Sequence, residues 1–173
     1  LNLQALLASR VARFERPFGL DAVLGFHRHM GIFALALFAA HPLLLARGGA
    51  GTGLLTGAAV PWPVWLGRLA LAGLVVHVLL SVAQNRVRMK FESWRTAHDL
   101  LGPLVISLGF AHSLALGQDL GLPALKALWV VLFTGALALF LHHRFIRPFL
   151  LWLQPYTVVD VEAEAPGVWT VTL

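Results

Sequence analysis

The sequence contains no cysteine, which excludes disulfides, thiolate-ligated iron–sulfur clusters and cofactor attachment through Cys-x-x-Cys-His. Charge is almost as scarce, with 8 acidic and 13 Lys or Arg residues among 173. A soluble domain of this length carries about a quarter charged residues, and this chain has 12%. Hydrophobic residues make up 58% and the mean hydropathy is positive, so the composition is that of a membrane protein. The net charge of +5 does not indicate nucleic acid, because the basic residues fall in short clusters between apolar stretches. No cleavable signal peptide is recognisable.

Four apolar stretches approach the roughly 20 residues that a spanning helix needs: 26–47, 62–84, 97–118 and 124–144. Gly48 to Gly53, Pro61, Pro63, Pro123 and Pro148 punctuate them. Residues 1–13 read as the end of a preceding helix, followed by the amphipathic connector FERPFGLDAVLGF. Starting on Leu1, the chain reads as part of something longer. Arg10, Arg13 and Arg16 precede the first full span; Arg86, Arg88, Lys90 and Arg95 lie between the second and third, and Arg144 and Arg147 follow the fourth. The loops near 48–61 and 117–123 have no Lys or Arg. Basic residues concentrate on the cytoplasmic side, so the expectation is a multi-pass protein, of a bacterial inner membrane, with its C-terminus cytoplasmic. Residues 156–173 are two Val- and Thr-rich runs around Ala-Pro-Gly, a strand–turn–strand pattern. An isolated hairpin is marginally stable, so this tail reads as the start of a further soluble domain. The expected fold is an all-α membrane bundle of four full transmembrane helices plus a partial N-terminal helix, ending in a hairpin-like tail. Its expected divisions are 1–13, 14–150 and 151–173.

Two histidine pairs share one 14-residue gap, His27 with His41 and His98 with His112. On an α-helix 14 residues rise about 21 Å and fall only about 40° short of four turns, so each pair occupies one face. With the loop charges fixing direction, His27 and His98 lie at the cytoplasmic level and His41 and His112 at the outer one. This geometry suits two haems, each between two imidazoles. Neutral imidazole gives iron one lone pair while its other nitrogen donates a hydrogen bond, so it ligates without adding net charge. Two histidines per iron leave no open position and favour electron transfer. An ordinary interfacial or hydrogen-bonded role explains any one histidine, but poorly explains four at matched depths.

Other residues carry less. His29 points about 200° from His27 and is an interfacial residue or a substitute for it. His77 lies deep in the second span, either as a bundle histidine or beside a haem. His142 and His143 form an interfacial anchor, near a flavin domain if one follows. Arg28, Arg88 and Arg95 are placed for the propionates of the inner haem; Arg68 and Arg47 lie in the outer half, where Arg68 either pairs with a carboxylate or snorkels. Phe33, Phe38, Trp94 and Phe110 suit porphyrin faces and a lipid-facing stripe equally well. A non-redox metal carrier using His27, His29 and His41 is a competing reading, weakened by the near absence of intramembrane carboxylates.

The segments FHRHMGIFALALFAAHP and ESWRTAHDLLGPLVISLGFAHS resemble the paired haem-binding helices of the ferric reductase-like transmembrane domain, found in ferric reductases and NADPH oxidases and related to the haem subunit of bacterial methionine sulfoxide reductase. The resemblance extends over roughly 14–150. It implies two b-type haems, with electrons arriving from NAD(P)H through FAD and leaving to ferric iron or oxygen, or, as in the related subunit, passing between quinone or flavin and a partner reductase. The tail from Tyr156 is similar to the opening strands of the ferredoxin-reductase-type flavin domain. The flavin-binding arginine motif and a glycine-rich nicotinamide site are missing from these residues. Donation therefore requires a flavin/NAD(P)H domain in the full-length chain or as a separate protein, alongside lipid and without nucleic acid.

Overall fold

The computed structural model describes Gln4, residues 17–84 and residues 86–172. Apart from Gln4, the expected N-terminal helix over 1–13 lies outside the described residues, as do Arg10, Arg13 and Arg16. The chain divides into two compact units, Leu1–Phe140 and Leu141–Leu173.

The first unit contains α1 (Leu20–Leu45), a short α2 (Gly53–Thr56), α3 (Trp62–Ala83), α4 (Phe91–Leu116) and α5 (Pro123–Leu141). Among the described residues, four helical stretches are long and apolar enough to cross a membrane: Leu20–Ala50, Trp62–Ala83, Phe91–Leu116 and Pro123–Leu153. The expected all-α membrane bundle is the observed fold class. Helix starts differ most from the hydropathy pattern. Helix α4 begins at Phe91, six residues before the apolar run, because Glu92 in its first turn complements the helix dipole. Arg95 Nε approaches Asp99 Oδ2 at 3.9 Å along the same face. Helix α1 begins at Leu20, after Gly19 turns the chain with φ 77. Pro42 and Pro103 sit inside α1 and α4, as membrane helices tolerate where local adjustment satisfies the backbone.

Helices α3 and α4 form the central pair. Along α3, Pro63, Gly67, Ala70, Leu74, Val78 and Ser81 recur at spacings of three and four, which places them on one face. Lipid tails are as apolar as leucine, so association in a membrane depends on close packing rather than on expelling water, and small residues allow it. A Cβ added at Gly73 would lie 2.9 Å from Val105 Cγ2. Leu74, Val78 and Val105 form a buried cluster, with Leu35 of α1 packed against it. Helix α1 packs on α3, and α3 packs along α4. Between α4 and α5, Phe110 and Phe133 stack with ring centroids 3.9 Å apart, and Trp129 Nε1 donates to Ser113 Oγ at 2.8 Å.

The second unit contains a π-helical turn (His142–Ile146), α6 (Arg147–Leu153) and an antiparallel hairpin of β1 (Asp160–Ala165) and β2 (Val168–Thr172). Pro148, expected after the end of the fourth span, instead lies inside the helical run, at the start of α6 directly after the π-helical turn, as membrane helices tolerate where local π adjustment satisfies the backbone. Gly167, with φ 81, makes the turn that the Ala-Pro-Gly sequence predicts, and the register carries an irregularity between Ala163 and Ala165.

Candidate functional site in the helical unit

The structure brings the four histidines together at two levels. At the first, His27 of α1 faces His98 of α4, with ring centroids 6.1 Å apart and planes inclined by 64°. At the second, His41 faces His112 across 6.5 Å and 83°. Helix periodicity aligns each pair along its own helix, and the parallel course of α1 and α4 matches the levels.

Both α4 histidines are anchored on α3. At the second level, His112 Nδ1 lies 2.8 Å from the carbonyl oxygen of Pro63. A carbonyl only accepts, so this ring carries its proton on Nδ1 and keeps the lone pair on Nε2. The ring rests against Gly67, where an added Cβ would lie 2.6 Å from Cε1 and 2.7 Å from Nδ1. At the first level, Ser81 Oγ donates to the carbonyl oxygen of His77 at 2.8 Å and lies 3.0 Å from His98 Nδ1. The hydroxyl proton is already committed to that carbonyl, so the oxygen accepts from Nδ1–H. His98 therefore has the same tautomer as His112, with Nε2 as the lone-pair nitrogen.

His77 belongs to the first level. Its ring stacks on His98 with centroids 4.1 Å apart and planes 29° apart, and Trp94 lies 5.2 Å from His98. Among the described residues, His27 Nδ1, His77 Nδ1 and Trp94 Nε1 are buried without a hydrogen-bond partner.

The arginines separate into two kinds. Arg68 is half-buried, and its guanidinium donates to the carbonyls of Gly53, Leu54 and Gly57 at 2.8–3.2 Å, tying the α2 segment to α3. Its Cζ lies 4.7 Å from the centre of the Trp65 ring, a cation–π contact. Arg28 and Arg95 are exposed, Arg95 beside Asp99. His29 Nδ1 bonds to the carbonyl of Gly25 at 2.8 Å, within its own helix. His142 and His143, in the second unit, form an edge-to-face pair at 5.2 Å. Among the described residues no group of three or more His, Asp or Glu converges as a metal site, so His27, His29 and His41 do not form one.

The sequence pattern overlooked Ser81, Gly67 and the Pro63 carbonyl. A signal for them exists: Gly67 and Ser81 are separated by the same 14 residues as His98 and His112, and so are Pro63 and His77. Helix α3 thus carries a third copy of the spacing.

A profile of the family described as "Ferric reductase like transmembrane component" matches residues 1–109. The matched segment includes His27, His41 and His98 and ends just before His112. No match was found among curated proteins or among solved structures.

Proposed function

From the premise that this chain belongs to the ferric reductase-like transmembrane family, and is thus an oxidoreductase-type membrane domain for electron transfer, we propose that it works with two b-type haems. His27 and His98 would hold the inner one, His41 and His112 the outer one.

The separation of the facing imidazoles carries this reading. A nitrogen–metal bond of about 2 Å on each side, plus about 1 Å from each nitrogen to its ring centre, puts two imidazoles roughly 6 Å apart across one metal ion. The observed separations are 6.1 and 6.5 Å. Edge-to-face ring contacts span the same range. The tautomers favour ligation over such contacts: with Nδ1–H bonded to Ser81 and to the Pro63 carbonyl, His98 and His112 each keep the Nε2 lone pair for a metal.

A haem held there by two histidines would supply a one-electron iron(III)/iron(II) couple. The chain contributes the rest. Neutral imidazoles hold the two levels about 21 Å apart along α1 and α4 without burying net charge. Their Nδ1–H bonds orient the rings, and the apolar spans exclude water. Arg28 and Arg95 are proposed propionate partners at the inner level. Arg68 is proposed for the outer one, although its four bonds to the α2 segment compete with that role.

Donor and acceptor are proposed from the family and the tail. The Val- and Thr-rich hairpin supports a flavin domain beginning there, so FAD and NAD(P)H would serve as donors on the cytoplasmic side, with ferric iron or oxygen as acceptor outside. Reduced-minus-oxidised difference spectra and haem extraction test the reading. The expected result is low-spin b-type haem at two per chain; a haem-saturated sample without that absorbance overturns it. Comparing superoxide with iron(II) production by the full-length protein then selects the acceptor.

A further inference from the structure

Helix α3 provides none of the four facing histidines, yet it supports both α4 rings through two stations of one design. At the outer station the imidazole N–H reaches the Pro63 carbonyl directly, past Gly67, which has no side chain to obstruct it. At the inner station the corresponding positions, 14 residues along, are His77 and Ser81. There the side chain that Gly67 lacks is present, and its hydroxyl stands between the ring and the carbonyl: His98 Nδ1–H donates to Ser81 Oγ, whose O–H donates to the His77 carbonyl. Fourteen residues fall only about 40° short of four turns, so the two stations face α4 in the same direction.

The geometry points to Ser81 as a positioning residue for the inner haem: its hydroxyl fixes the tautomer of His98 and raises the basicity of the nitrogen facing iron. The inference rests on His98 being a haem ligand. An acceptor on Nδ1–H pushes electron density towards Nε2, which favours iron(III) and lowers the reduction potential. The stacked His77 ring closes this station on one side and holds His98 close to the hydroxyl. Ser81 is half-buried between two helices, so water cannot readily replace the lost acceptor.

Spectroelectrochemical titration of the haem-loaded full-length protein and its Ser81→Ala and Ser81→Thr variants tests the inference. In Ser81→Ala one of the two haem transitions is expected to rise by about a tenfold change in its reduction equilibrium, equivalent to about 59 mV for one electron, while the other stays in place. Ser81→Thr, which keeps the hydroxyl, is expected to restore the wild-type value. Loss of one haem in Ser81→Ala with retention in Ser81→Thr supports the same role. Unchanged potentials in Ser81→Ala, or equal shifts or equal haem loss in both variants, overturn it. Absence of low-spin haem from the wild type would instead overturn the ligand assignment itself, so the two failures are distinguishable.

Discussion

Gly67 and His112 meet so closely that a Cβ on the glycine would lie 2.6 Å from the imidazole Cε1. The ring occupies the volume that any other residue at position 67 would fill, and from there it reaches the Pro63 carbonyl one turn away on the same helix. The close approach of α3 and α4 is thus coupled to the orientation of one candidate ligand.

Gly67→Ala is expected to displace His112 and break its bond to Pro63. A helix backbone carrying the added methyl cannot yield as a flexible side chain would. Haem content per chain should fall from two towards one, measured by extraction against protein concentration. An unaltered content of two would show that the ring has room to move.

His41→Ala and His112→Ala should each remove the outer haem and leave the inner one, whereas His27→Ala and His98→Ala should affect the inner one. The levels are separated by four helical turns, so the substitutions should act independently. Two resolved redox transitions becoming one is the expected readout in each variant. Retention of both haems in all four variants would refute the assignment.

Arg68→Ala is expected to loosen the α2 segment. The guanidinium bonds to three carbonyls there, and a charge-assisted hydrogen bond contributes about 2 kcal/mol. Loss of one such bond would speed amide exchange at Thr56 and Gly57 about 30-fold if they exchange through local opening. Hydrogen-exchange mass spectrometry of the segment measures this. Selective loss of the outer haem, with exchange unchanged, would instead favour the propionate role.

The absence of cysteine makes the orientation simple to measure, since an introduced thiol is the sole target in this chain. Val87→Cys, in the basic loop between α3 and α4, should be protected from a membrane-impermeant thiol reagent in intact cells. Thr52→Cys, in the loop after α1, should react. The reverse pattern would invert the proposed direction of electron flow.

Much of the fold was legible because membrane solvation imposes a simple rule: a span must satisfy its own backbone and present apolar side chains. Hydropathy therefore located the four helices, and helix periodicity placed His27 with His41 and His98 with His112 on single faces. It failed at helix ends. Residues 91–96, FESWRT, are too polar to register as a span, but Glu92 at the first turn and the Arg95–Asp99 approach suit a helix. Pro148 marks a boundary in the sequence, but the π-helical turn before it lets the helical run continue past it.

By itself, the sequence determined spacing, polarity and the exclusion of thiolate chemistry, because these depend on covalent order and helical repeat. Tertiary structure alone decided which nitrogen of His98 and His112 holds the proton, because the acceptors, Ser81 and the Pro63 carbonyl, lie 17 and 49 residues away along the chain. It also assigned Arg68 to three loop carbonyls, a choice that depends on how the 48–61 loop folds back over α3. A hydrogen bond depends on distance and direction, and both are fixed only when helices pack.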